Sequence, residues 1–218
     1  MDNIMLWPQG CAPHMDACGD QAAPSMTMYR AGKDACGVVL VCPGGGYSHR
    51  ARHEGNPVAE RFNALGFHAF VVEYRVGEIK FPEPQQDAFR AIKIIRQHAE
   101  EWYVNPEQIF VLGCSAGGHL AGCLGTFKEE EFQYLKVDEM DDFSFIPNGL
   151  ILSYPVISFD ENVGHKGSGI NMLGTLTDEL IEKFEGSVKH MILLGRDARL
   201  IAESADRFGF KDYTYAKD

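Results

Sequence analysis

A serine between glycines, Gly113-Cys-Ser-Ala-Gly117, is the first pattern in the chain with a clear chemical use. It matches G-x-S-x-G and sits between an apolar run, Gln108-Ile-Phe-Val-Leu112, and a small-residue stretch, Ala116–Leu124. A strand, a tight turn and a helix in that order form the context in which such a serine becomes a nucleophile. The glycines permit a turn sharp enough to hold Ser115 in a strained conformation, its hydroxyl projecting from the sheet edge. The helix behind it offers the Ala116 amide and a positive dipole end to a developing oxyanion. A second glycine-rich turn, Pro43-Gly-Gly-Gly-Tyr47, ends the apolar run Gly37–Cys42. Alone, Gly44–Gly46 would read as a flexible turn or a phosphate loop, but no Gly-Lys-Ser/Thr follows, so it is not a P-loop. Beside the Ser115 turn, the three glycines read as the other half of an oxyanion hole.

The surrounding pattern predicts the elements that carry these turns. Strands are expected at 37–42, 68–74, 108–112, 149–154 and 191–194, with one more near Met26–Tyr29 and a last one at 212–215. Helices are expected at 57–65, 85–102, 116–124, 178–184 and 198–208, and a polar loop from the end of the 149–154 strand to about Gly174. Strands alternating with helices form right-handed βαβ units, so the fold class is α/β with a mostly parallel central sheet covered on both faces. Without repeats or low-complexity tracts, residues 1–218 read as one domain, with 1–35 an N-terminal arm and 126–148 a solvated acidic insertion.

Composition narrows the function. With 20 basic against 31 acidic residues the net charge is −11, which argues against a nucleic-acid or anionic-membrane surface. An apolar share of 45% excludes intrinsic disorder. No apolar run approaches the roughly 20 residues of a membrane helix, and Met1–Gly10 lacks the pattern of a secretory signal, so a soluble, cytoplasmic protein is expected. The six cysteines are too dispersed for a disulfide scaffold. Cys36, Cys42, Cys114 and Cys123 read as reduced, small hydrophobes in or beside apolar segments. Cys11 and Cys18, with His14 and Asp16 between them, lack a second Cys/His pair, so no metal site is expected.

These motifs, together with Tyr74-Arg75, Pro84-Gln-Gln-Asp87, Tyr154-Pro-Val-Ile-Ser158 and His165-Lys-Gly-Ser168, resemble the small bacterial carboxylesterases of the α/β-hydrolase fold. The likeness is to the acetyl-xylan-esterase-like and hormone-sensitive-lipase-like groups, over about residues 35–185. It implies a three-layer α/β-hydrolase fold and hydrolysis of a short acyl ester, with a small-molecule ester or an acetylated saccharide as partner and no cofactor. In that likeness Ser115 attacks the carbonyl, the N–H groups of Gly45, Gly46 and Ala116 hold the oxyanion, and Tyr47 and His49 line the substrate site.

The resemblance also implies a chain order of serine, then acid, then histidine. Asp197 suits the acid, because it follows the 191–194 strand. No histidine lies downstream of it; the eight are 14, 49, 53, 68, 98, 119, 165 and 190. His165 and His49 are the candidates for a substitute base, and His119 is expected to pack beneath the elbow helix. Residues 187–218 resemble the C-terminal end of Mur ligases more than an esterase, so the fold is expected to be truncated at that end or joined there to a fused segment. Two readings result: a carboxylesterase, or a catalytically impaired hydrolase-like binding domain lacking the triad histidine. Weak cleavage of p-nitrophenyl acetate and self-association through uncovered sheet are the corresponding expectations.

Overall fold

The run Val38-Val-Leu-Val-Cys42 is buried along its whole length, and its side chains divide by parity between two hydrophobic clusters. Val38, Leu40 and Cys42 face one, Val39 and Val41 the other, as a strand with period two requires when both faces are covered. The computed structural model describes residues 2–8, 12–13, 24–127, 137–160 and 164–175, and the backbone of strands at 191–193 and 213–215.

Within those residues the strands are β1 (Asp2–Met5), β2 (Ser25–Tyr29), β3 (Val38–Cys42), β4 (His68–Glu73), β5 (Ile109–Cys114), β6 (Gly149–Ser153), β7 (Met191–Leu193) and β8 (Tyr213–Tyr215). The first six form one sheet in the order β1-β2-β4-β3-β5-β6. β1, β2 and β4 pair antiparallel, and β4, β3, β5 and β6 pair parallel. β7 and β8 pair parallel as a separate ladder, with β7 lying beside β6. The helices are α1 (Asn56–Ala64), α2 (Glu83–Gln97), α3 (Ala99–Trp102), α4 (Ala116–Thr126) and α5 (Lys166–Leu173). The larger cluster holds Ala88 and Ile92 of α2 with Leu120 and Leu124 of α4, whereas Ala59 of α1 packs in the other. Helices therefore cover both faces, the expected mixed α/β architecture.

Several expectations are corrected. The segment before residue 35 contributes two sheet strands, and Leu6 and Trp7 behind β1 are buried. Trp7 Nε1 donates to Asp87 Oδ1 at 2.8 Å, and Arg90 Nε donates to the Leu6 carbonyl at 2.8 Å, bolting this segment to α2. The helix expected over 85–102 breaks at His98, whose ring stacks on Trp102 at 4.6 Å. The polar loop before Gly174 contains α5, capped by His165. The acidic insertion is not merely a wet face. Asp138 and Asp141 pair with the buried guanidinium of Arg90, and Asp141 also lies 3.4 Å from Lys93 Nζ. A buried arginine on α2 needs such partners, because an uncompensated charge in the core is costly. Cys42, Cys114 and Cys123 are buried free thiols, but Cys36 is exposed. The helices expected at 178–184 and 198–208 lie outside the described residues.

Candidate active site

Backbone sterics fix the turn between β5 and α4. Ser115 adopts φ +52°, ψ −120°, a left-handed-side conformation that non-glycine residues rarely occupy. A Cβ on Gly113 would stand 2.1 Å from the Gly117 carbonyl oxygen, and one on Gly117 2.1 Å from the Cys42 carbonyl oxygen. Only hydrogen fits at either place, so the serine turn closes on itself and presses against the end of β3. Its backbone is tied to the strand beyond β5: Ser115 N–H donates to Ser153 O at 3.1 Å, and Val156 N–H to Ser115 O at 2.9 Å.

The Pro43–Tyr47 turn meets this elbow closely. A Cβ on Gly44 would lie 3.0 Å from Ser115 Cβ. The carbonyls of this turn are all engaged. Gly44 O accepts from Ala51 N–H at 2.9 Å, Gly45 O from Ser48 N–H at 3.1 Å, and Gly46 O from Asn171 Nδ2 at 2.8 Å. Gly45 and Gly46 have φ of +119° and +63°. Among the described residues the N–H groups of Gly45, Gly46 and Ala116 have no acceptor, although the turn around them is pinned. Three open amides beside a strained serine can stabilise an oxyanion.

Glu54 and Asn171, to which the sequence reading gave no role, do the pinning. Glu54 is buried; Oε2 accepts from Gly44 N–H at 2.7 Å and Oε1 from the Tyr154 hydroxyl at 2.7 Å. One carboxylate thus links the glycine turn to the segment after β6. An acid beside glycine in the motif His53-Glu-Gly55 was the available signal; Asn171 gave none. Lys80 Nζ donates to the Asn171 carbonyl at 2.8 Å, which steadies α5 against the same turn.

Tyr47, expected to line the substrate site, points inward from the turn. Its side chain is fully buried, and its hydroxyl lies 2.8 Å from His119 Nδ1. His119, packed beneath the elbow against Phe159 and beside Cys123, has its pKa lowered to about 4 by burial, so it stays neutral. His49 is exposed beside the turn, its Nδ1 2.9 Å from Ser48 Oγ. His165 sits nearer: a Cβ on Gly46 would be 3.9 Å from its Cε1. Its Nδ1 accepts from Ser168 N–H at 3.0 Å as the cap of α5, so Nε2 carries the proton. In that tautomer the ring has no lone pair free to serve as a base. Ser115 Oγ has no hydrogen-bond partner among the described residues, and Asp197 lies outside them. Among the described residues no group of three metal-ligating side chains occurs, and no helix is long and apolar enough to cross a membrane.

The strand order, the elbow after β5 and the glycine turn after β3 define an α/β-hydrolase fold. The family profile BD-FAE matches residues 26–161, and the chain belongs to that family. It is 38% identical over 138 residues to an acetylxylan esterase of Xylanibacter ruminicola, covering 63% of this chain and 26% of that protein. It is 35% identical over 153 residues to endo-1,4-beta-xylanase B of Butyrivibrio fibrisolvens, covering 67% and 23% respectively. The matched stretch therefore spans about a quarter of each of these relatives. The crystal structure of an acetyl ester-xyloside bifunctional hydrolase from Caldicellulosiruptor lactoaceticus superposes with a TM-score of 0.81 at 30% identity, over 98% of this chain and 84% of that one.

Proposed function

We propose that this chain is a serine ester hydrolase for short acyl, chiefly acetyl, esters, with acetylated saccharides as its substrate class. The observation that carries this reading is the strained Ser115 set beside three open amides. Ser115 Oγ attacks the ester carbonyl carbon, and the carbonyl oxygen becomes an anion held by the N–H groups of Gly45, Gly46 and Ala116. The alcohol leaves with a proton, and water then releases the acid from the acyl-serine. Asp197 is the proposed orienting acid, and His49, whose Nε2 is open, is the described candidate for the base. Tyr47 serves as a buried peg beneath the glycine turn rather than as a substrate contact. Kinship to an acetylxylan esterase supports the acetyl and saccharide parts of the reading. The buried free thiols support a cytoplasmic setting.

A second reading, a hydrolase-like saccharide-binding domain, is favoured by one observation: no described side chain engages Ser115 Oγ. A fluorophosphonate probe decides between them. Labelling confined to Ser115 and lost in Ser115→Ala, with Ser115-dependent release of p-nitrophenol from its acetate, supports the hydrolase. Absence of both supports the binding domain.

A further inference from the structure

The chain is acidic overall, yet Ser48-His-Arg-Ala-Arg-His53, directly after the glycine turn, carries two arginines and two histidines in six residues. Of these, Ser48, His49, Arg50 and Arg52 border a cleft of about 660 Å³, within the range of ~300–1,000 Å³ typical of small-ligand sites. Pro43 forms one wall, so the cleft adjoins the oxyanion turn itself. We propose that this cleft binds a carboxylate-bearing sugar unit, so that the ester presented to Ser115 belongs to an acidic saccharide chain.

The side chains differ in what they leave available. Arg50 is held in place: Nε donates to Glu73 Oε2 at 2.5 Å and Nη1 to the Tyr74 carbonyl. Glu73 offsets its charge, while Nη2 has no partner among the described residues. The Arg52 side chain forms no hydrogen bond or ion pair among them and supplies the surplus positive charge. Its neighbour Glu54 does not pair with it: Oε2 accepts from Gly44 N–H, and Oε1 accepts from the Tyr154 hydroxyl and lies 3.7 Å from His53 Nε2. A guanidinium presents paired N–H donors that match a carboxylate. His49, with Nδ1 engaged by Ser48, keeps Nε2 for a second contact. Val71, Val76 and Pro43 give the cleft an apolar side on which a sugar ring face can lie, and Asn56 offers an amide for hydroxyls. That mixture suits an acidic sugar better than a bare inorganic anion.

The assignment rests on the ester-hydrolase reading only for placing the sugar beside Ser115, and its test is a binding measurement independent of turnover. Calorimetric titration of the 218-residue chain carrying Ser115→Ala compares a xylo-oligosaccharide bearing one glucuronate, an unsubstituted one of equal length, and inorganic phosphate. The acidic oligosaccharide is expected to bind about tenfold tighter than the neutral one, as one charge-assisted contact provides. Raising sodium chloride should narrow that gap. Adding Arg52→Ala should abolish the preference, while Arg52→Lys should keep part of it. Equal or undetectable binding of the two oligosaccharides, a preference that survives Arg52→Ala, or phosphate binding as tightly as the acidic saccharide would overturn the proposal. Fluorophosphonate labelling of Ser115 is untouched by any of these outcomes, so failure here and failure of the hydrolase reading are separable.

Discussion

The two turns that meet at Ser115 are held by opposite means. The elbow after β5 is fixed by main chain against main chain, where Gly113 and Gly117 leave no room for a methyl group. The glycine turn after β3 is fixed by side chains that arrive from elsewhere: Glu54 from ten residues on, and Asn171 from 125 residues on. A main-chain lock tolerates no substitution within it, whereas a side-chain lock weakens by steps.

The largest effect tests the main-chain lock. Gly117→Ala would place a methyl group 2.1 Å from the Cys42 carbonyl, forcing β3 and α4 apart. The expected cost is at least about 4 kcal/mol, read as lost soluble yield or a collapsed unfolding midpoint; a near-normal Tm would show that the backbone can give. Next is the joint beneath both turns, where His119 meets Tyr47. Its folded pKa near 4 lies below the ordinary value of 6.5. Its stabilising contribution is therefore complete above pH 6.5 and declines as pH falls from there through 4. About 3 kcal/mol is at stake over that window. Urea unfolding at pH 7 and pH 4 measures it, and His119→Gln should flatten the dependence; an unchanged slope would mean that the ring is hydrated.

The side-chain lock should yield smaller numbers. Glu54→Ala strands the buried Gly44 N–H, with an expected loss of about 2 kcal/mol in stability and a ten- to hundredfold fall in fluorophosphonate labelling of Ser115. Glu54→Gln retains an acceptor and should recover most of the labelling. If the glutamine is as poor as the alanine, charge rather than geometry is what matters. Smallest is Asn171→Ala, which frees only the Gly46 carbonyl: about 1 kcal/mol, and less than tenfold in labelling. A larger loss there would make α5 as indispensable to the turn as the elbow's own glycines.

The contrast explains what could be read in advance. Gly113–Gly117 announces itself because its constraint is local: a close approach leaves glycine at the positions that need it, and β5 and α4 carry clean periodicities on either side. The parallel strands β3, β4 and β5 were legible as apolar runs, buried along nearly their whole length. β1 was missed because Asp2-Asn-Ile-Met5 is largely exposed and pairs only along one edge. α5 was missed because Lys166-Gly-Ser-Gly169 opens with residues of poor helix propensity, and a histidine rather than a usual capping residue starts it. Tyr47 looked like a substrate contact because it follows the glycines, but its positive φ of 58° turns the ring inward to His119. Asp138 and Asp141 looked solvated because their partner, Arg90, lies some fifty residues earlier in an apolar helix face. Asp197 remains a sequence expectation.

The bolt between the first strand and α2 also bears on how the chain is made. Trp7 is paired with Asp87, 80 positions later, and Leu6 with Arg90, 84 positions later. During synthesis from the N-terminus, at about 5–20 residues per second, the arm waits roughly 4–16 s before its partners exist. β2 waits likewise, since its sheet neighbour is β4 rather than β3. A segment made some 80 residues ahead of its partners thus stays unpaired until α2 is made, and until then Trp7 is a surface that a chaperone can hold.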